Sequence, residues 1–128
     1  MRLLLDTHVF LWLQTDPERL RASTRTLLAA TENEVYLSVA SVWEMAIKLS
    51  LGKLTLAISL DTLIEEGAVN NGFSLVDVRR EHAVAVTHLP FHHRDPFDRL
   101  LVTQAMTDKM TIVSNDAELD AYPIQRLW

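Results

Sequence analysis

Short, mostly unbroken apolar runs constrain this chain more than any other feature: RLLLD at 2–6, EVYLSV at 34–39, FSLVDV at 73–78 and TIVS at 111–114. A strand with one wet face alternates polar and apolar residues; a run without alternation must be buried on both faces. Stretches with helical spacing separate the runs. PERLRASTRTLLAAT reads as one helix, with Pro17 suited to its first turn. SVASVWEMAIKLSLG reads as another, with Val39, Val42, Trp43, Ala46 and Ile47 on its apolar face, Trp43 in the core and Gly52 as the stop. SLDTLIEEGAVNNG carries Ser59 as a cap and ends at Asn71-Gly72. The terminal IQRLW reads as an edge strand. Strand–helix alternation of this kind predicts an α/β fold: a three-layer sandwich whose central, mostly parallel sheet of four to five strands carries helices on both faces. There is no internal repeat, low-complexity segment or linker, and residues 1–128 read as one domain.

The chain has no cysteine, which removes disulfides, thiolate zinc sites and cysteine nucleophiles. No stretch approaches the roughly 18 apolar residues of a membrane span, and Asp6 and His8 interrupt the apolar start too early for a signal peptide. A soluble, cytoplasmic protein is expected. The net charge of −5 argues against broad electrostatic binding of nucleic acid. Its distribution softens that argument, because Arg79, Arg80, His82, His88, His92, His93, Arg94 and Arg99 fall in one span. A basic lip on an acidic body and an ordinary solvated face both fit.

In open parallel sheets, function gathers beyond the carboxyl ends of the strands. Four acids are candidates for that edge: Asp6 ends the first strand, Glu44 lies in the helix after the second, Asp98 begins the helix before TIVS, and Asp116 follows it. Each has a plainer reading. Asp6 and Asp116 suit helix caps, and Glu44 can pair with Lys48 four residues on. In HRDPFDRLLVTQA, residues 93–105, Asp95 as cap and Pro96 at the first position make a normal helix start. Asp98 is different. It shares a face with Leu101, Val102 and Ala105, and a carboxylate facing inward needs a cation, a partner or a proton. Converging carboxylates raise one another's pKa unless a cation neutralises them. An all-oxygen set suits Mg²⁺ or Mn²⁺, and His92-His93 lacks the spacing of a zinc motif. Such a centre suits hydrolysis of a phosphodiester.

LLLDTHVFLW, SVASVWEMAIKLSLGKL, HRDPFDRLLVTQA and IVSND, in that order, resemble the PIN domain family, most closely the VapC-type ribonuclease toxins of toxin–antitoxin pairs. The resemblance implies a PIN-like sandwich and a Mg²⁺- or Mn²⁺-dependent endoribonuclease. It implies Asp6, Glu44, Asp98 and Asp116 as catalytic metal ligands, with Thr7 and Ser114 ordering the site and Asp95 assisting. It also implies a homodimer and an antitoxin that blocks the acidic site. SND stands where Thr-x-Asp is more frequent in the family. His92, His93, Arg94 and Arg99 are expected to contact the RNA backbone.

Two other readings compete. A catalytically inactive PIN-fold interaction module would be expected to have lost acids, and all four are present. A receiver-type phosphoacceptor domain would need an acidic doublet after the first strand and a lysine at the end of TIVS, and this chain has neither.

Overall fold

A computed structural model describes residues 1–128. Five strands form one sheet in the order β3-β2-β1-β4-β5, with every pair parallel. They are β1 (Arg2–Leu5), β2 (Glu34–Ser38), β3 (Ser74–Val76), β4 (Thr111–Val113) and β5 (Arg126–Leu127). Six α-helices cover the sheet: α1 (Thr7–Thr15), α2 (Ala22–Ala29), α3 (Val39–Ser50), α4 (Leu60–Gly67), α5 (Arg80–Ala85) and α6 (Pro96–Asp108).

The apolar runs of β1, β2 and β4 are explained by burial on two sides, whereas the FSLVDV run forms the edge strand β3, with Leu75 exposed, and is not buried as its sequence predicts. Leu3 and Leu5 join Leu37 and Val113 in a core completed by Val9 and Phe10 of α1, Leu28 of α2, Met45 of α3 and Leu63 and Ile64 of α4. Leu4 and Ile112 point the other way, into a core with Leu101, Val102 and Ala105 of α6. The period-two geometry of a strand thus splits one leucine run between two layers.

Two expectations about helices are corrected. The stretch from Pro17 to Thr31 is not one helix: a short 3₁₀ turn at Pro17–Arg19 precedes α2. Leu20, extended at ψ 143° and buried, separates them by plugging into the core. In α3 the buried face is Ala40, Ser41, Glu44 and Met45, while Val39 is 37% and Trp43 61% exposed. Trp43 is therefore not a core residue; its ring packs edge-on against Phe97, with centroids 5.5 Å apart. The helix is rotated toward its polar stripe because Glu44 finds partners inside.

Candidate active site

The strand order reverses direction between β1 and β4, and the crevice beyond their carboxyl ends is the usual ligand position in open parallel sheets. Asp6 follows β1 there. Its backbone N–H donates to Val113 of β4 at 3.0 Å, and its carboxylate accepts from Ser114 Oγ at 2.7 Å. The same hydroxyl accepts from the Asp116 N–H at 3.0 Å, so Ser114 ties Asp6, 108 residues before it, to the Asp116 backbone. Asp6 also caps α1 through the His8 N–H, and Asp116 caps a 3₁₀ turn through the Glu118 N–H. Capping and site placement coincide at both positions.

Asp98 enters from the start of α6. Asp95 Oδ1 accepts from the N–H groups of Phe97 and Asp98 at 2.8 and 3.2 Å, which fixes the first turn of that helix. Asp6, Asp98 and Asp116 then line one cavity of about 450 Å³ with His8, Trp12, His93 and Asn115. Glu44 does not line it. Its carboxylate is buried beside the cavity, accepting from Thr7 Oγ1 at 2.8 Å and from Lys48 Nζ at 2.6 Å. Ser41 Oγ lies 2.8 Å from the same Thr7 hydroxyl. The Glu44–Lys48 pair is thus present, but with one end in the interior instead of on the surface.

The electrostatics are those of crowded acids. Burial pushes the Asp98 carboxyl up to about 7, reinforced by the charges of Asp6 and Asp95. At Asp6 burial acts in the same upward sense, but hydrogen bonds from His8 and Ser114 outweigh it and hold the carboxyl below its usual range. The His8 imidazole is raised by its contact with Asp6. Burial works against the charged form of His93, yet the hydrogen bond to Asp116 and the nearby Asp98 charge leave it raised.

His93 was expected at the RNA backbone; instead it faces carboxylates. Its Nε2 lies 2.7 Å from Asp116 Oδ2 and 3.3 Å from Asp98 Oδ2, and its Nδ1 accepts from the Asp95 N–H at 3.1 Å. With Nδ1 accepting, Nε2 carries the hydrogen and offers the acids a donor, not a lone pair. Arg99 is corrected as well. It is 4% exposed, and its guanidinium donates to the carbonyls of Pro90 and Leu89 at 2.8 and 3.1 Å, so it pins the loop before α6 and cannot reach a ligand. His92 and Arg94 are exposed. Sequence reading missed His8 and Lys48 at the site, and Asn115, the middle residue of SND, also lines the cavity. Lys48 was visible only as the partner of Glu44, and its approach to the site depends on α3 turning that face inward.

The chain matches the family model for the PIN domain over residues 3–125. No curated protein matches it by sequence. Among solved structures it is similar to VapBC2 from Rickettsia felis, bound to a promoter DNA fragment, with a TM-score of 0.75 at 14% identity over 99% of this chain and 98% of that one. FitAcB from Neisseria gonorrhoeae gives 0.67 at 20% identity over 98% and 96%. VapBC-5 from Mycobacterium tuberculosis, of the VapBC family of toxin–antitoxin systems, gives 0.58 at 14% identity over 98% of each chain. With the family model covering nearly the whole sequence and the five-stranded parallel sheet matching in space, the chain belongs to the PIN domain family, a family of nucleases.

Proposed function

We propose that this protein is a divalent-cation-dependent endoribonuclease, the toxin of a toxin–antitoxin pair, acting in the cytoplasm. The observation that carries this reading is the shared cavity of Asp6, Asp98 and Asp116, with the Asp98 carboxyl pushed up to about 7. Burial and the charges of Asp6 and Asp95 hold the Asp98 carboxyl up, which a bound cation would relieve, and the carboxylate oxygens of Asp6, Asp98 and Asp116 fit Mg²⁺ or Mn²⁺. Asp6, Asp98 and Asp116 would hold the ion, and Glu44 would join them by exchanging Lys48 for it. When bound, such an ion polarises a phosphodiester and makes a water more acidic.

The chain's own residues prepare the site. Ser114 holds Asp6 and the Asp116 backbone in one geometry, and Thr7 orients Glu44. His93 orients Asp116 by donating Nε2–H and lies beside Asp98, while Asp95 fixes both the His93 tautomer and the first turn of α6. Preorganised groups of this kind need little rearrangement when charge develops in the transition state.

An antitoxin partner and a homodimer belong to the same reading. The solved neighbours are toxin–antitoxin complexes, and Trp43 and Phe91 offer large exposed apolar side chains for contact. The test is cleavage of a mixed RNA substrate by wild type and Asp98→Asn in Mg²⁺, Mn²⁺ or EDTA. Cleavage by wild type alone, abolished by EDTA, is expected. Equal cleavage by both proteins would remove Asp98 from the mechanism.

A further inference from the structure

Next to the acidic cavity lies a groove of about 380 Å³ with the opposite charge. The two depressions share His8 and Trp12 in their walls, so they adjoin at these side chains. Arg19, Lys48 and Lys53 line the groove and no acid does, in a chain with 17 acidic and 12 basic residues. They arrive from separate segments: the 3₁₀ turn after α1, the end of α3 and the connection to α4. Lys48 is engaged by Glu44. Arg19 and Lys53 are exposed and form no ion pair. The Arg19 guanidinium stacks on Trp12, 4.4 Å from the ring centroid.

We propose that this groove, with Arg19, Lys53 and Trp12 as its contacts, is the track that carries a single-stranded RNA backbone into the acidic cavity. The proposal rests on the ribonuclease reading above. A cleft of carboxylates repels a phosphodiester, so the holding energy must come from cations beside the cleft. Arg99 is buried and His93 is paired with acids, which removes half of the cationic set expected from sequence. The groove supplies a replacement that adjoins the cavity itself. Stacking on Trp12 restrains the planar Arg19 fork, whose geometry matches phosphate oxygens, and Lys53 adds a point charge. The half-buried Trp12 ring, flanked by His8 and Trp128, gives the groove an aromatic wall of the kind that single-stranded nucleic-acid sites use. Adjacency to the site of cleavage, together with this aromatic wall, favours RNA over an acidic polypeptide.

The experiment measures binding of a short, labelled, mixed-sequence single-stranded RNA by fluorescence anisotropy across a salt series, in EDTA so that nothing is cleaved. The proteins are wild type, Arg19→Ala/Lys53→Ala, and Arg80→Ala as a control on α5; melting curves check that the exposed substitutions leave the fold intact. The double variant is expected to bind about tenfold more weakly, with the slope of log K against log salt reduced by about 1.4, at roughly 0.7 per lost phosphate contact. Arg80→Ala should match wild type. Unchanged affinity and slope in the double variant would overturn the track and leave the nuclease reading standing. No RNA binding by wild type, in an assay where it also fails to cleave, would overturn both. Polyglutamate binding as tightly as RNA, and weakened equally by the double substitution, would assign the groove to an acidic polypeptide and overturn the proposal.

Discussion

Asp98 is the residue at which folding and chemistry pull hardest against each other. Its native carboxyl titrates at about 7, while an unfolded aspartate ionises near 3.9. Below about pH 4 both states are protonated and the group contributes nothing. Between about 4 and 7 the unfolded chain loses its proton first, so stability falls as pH rises, and the loss is complete above about 7. Asp98→Asn removes that penalty. In EDTA at pH 8 the variant should be more stable than wild type by on the order of 1–3 kcal/mol, and the gap should close near pH 4. Denaturant melts at both pH values check this; equal stability of the two proteins at pH 8 would show that the carboxyl carries no such strain. Arg99 shows the reverse arrangement, a cation made structural by carbonyl oxygens.

At the scale of elements, α6 is held at both ends by charge. Asp95 caps its start, and Asp108 clamps its end to α5. Asp108 accepts from Arg79 at 2.6 Å and from the fully buried His82 at 3.0 Å; the His82 Nδ1 accepts from the Arg79 N–H, so Nε2 is the donor. Burial works against ionisation of Asp108, but the Arg79 hydrogen bond and the nearby His82 outweigh it and hold the carboxyl below its usual value. A lowered carboxyl stabilises the fold above about pH 4, and that stability is lost as pH falls through the native value. Asp108→Ala leaves a buried N–H without an acceptor and should cost about 1–3 kcal/mol at pH 7. Thermal melts should show the difference from wild type narrowing below about pH 4. A difference independent of pH would mean that packing, not charge, holds α5 to α6.

For the whole molecule, the acidic cavity predicts that a divalent cation stabilises the fold. Mn²⁺ at a hundred times its Kd should add about 2.7 kcal/mol to wild type. Asp98→Asn should gain much less, and calorimetry with Mn²⁺ reads the same difference without any RNA. No stabilisation of wild type at millimolar Mn²⁺ would count against the cation site. Much of this architecture is legible along the chain. Unbroken apolar runs demand two-sided burial, which makes the sheet parallel and sends Asp6 and Asp116 to its carboxyl edge. The Asp95-Pro96 start of α6 is equally local, since a cap needs only its own next turn. The rotation of α3 is not local. Its apolar residues admit more than one inward face, and the choice fell on the face where Thr7 and Lys48 partner Glu44. The destinations of Arg99 and His93, and the meeting of Arg19 with Lys53, were likewise decided in three dimensions. Periodicity reports which residues of one element share a side; only packing brings groups tens of residues apart within reach of a hydrogen bond or a shared charge.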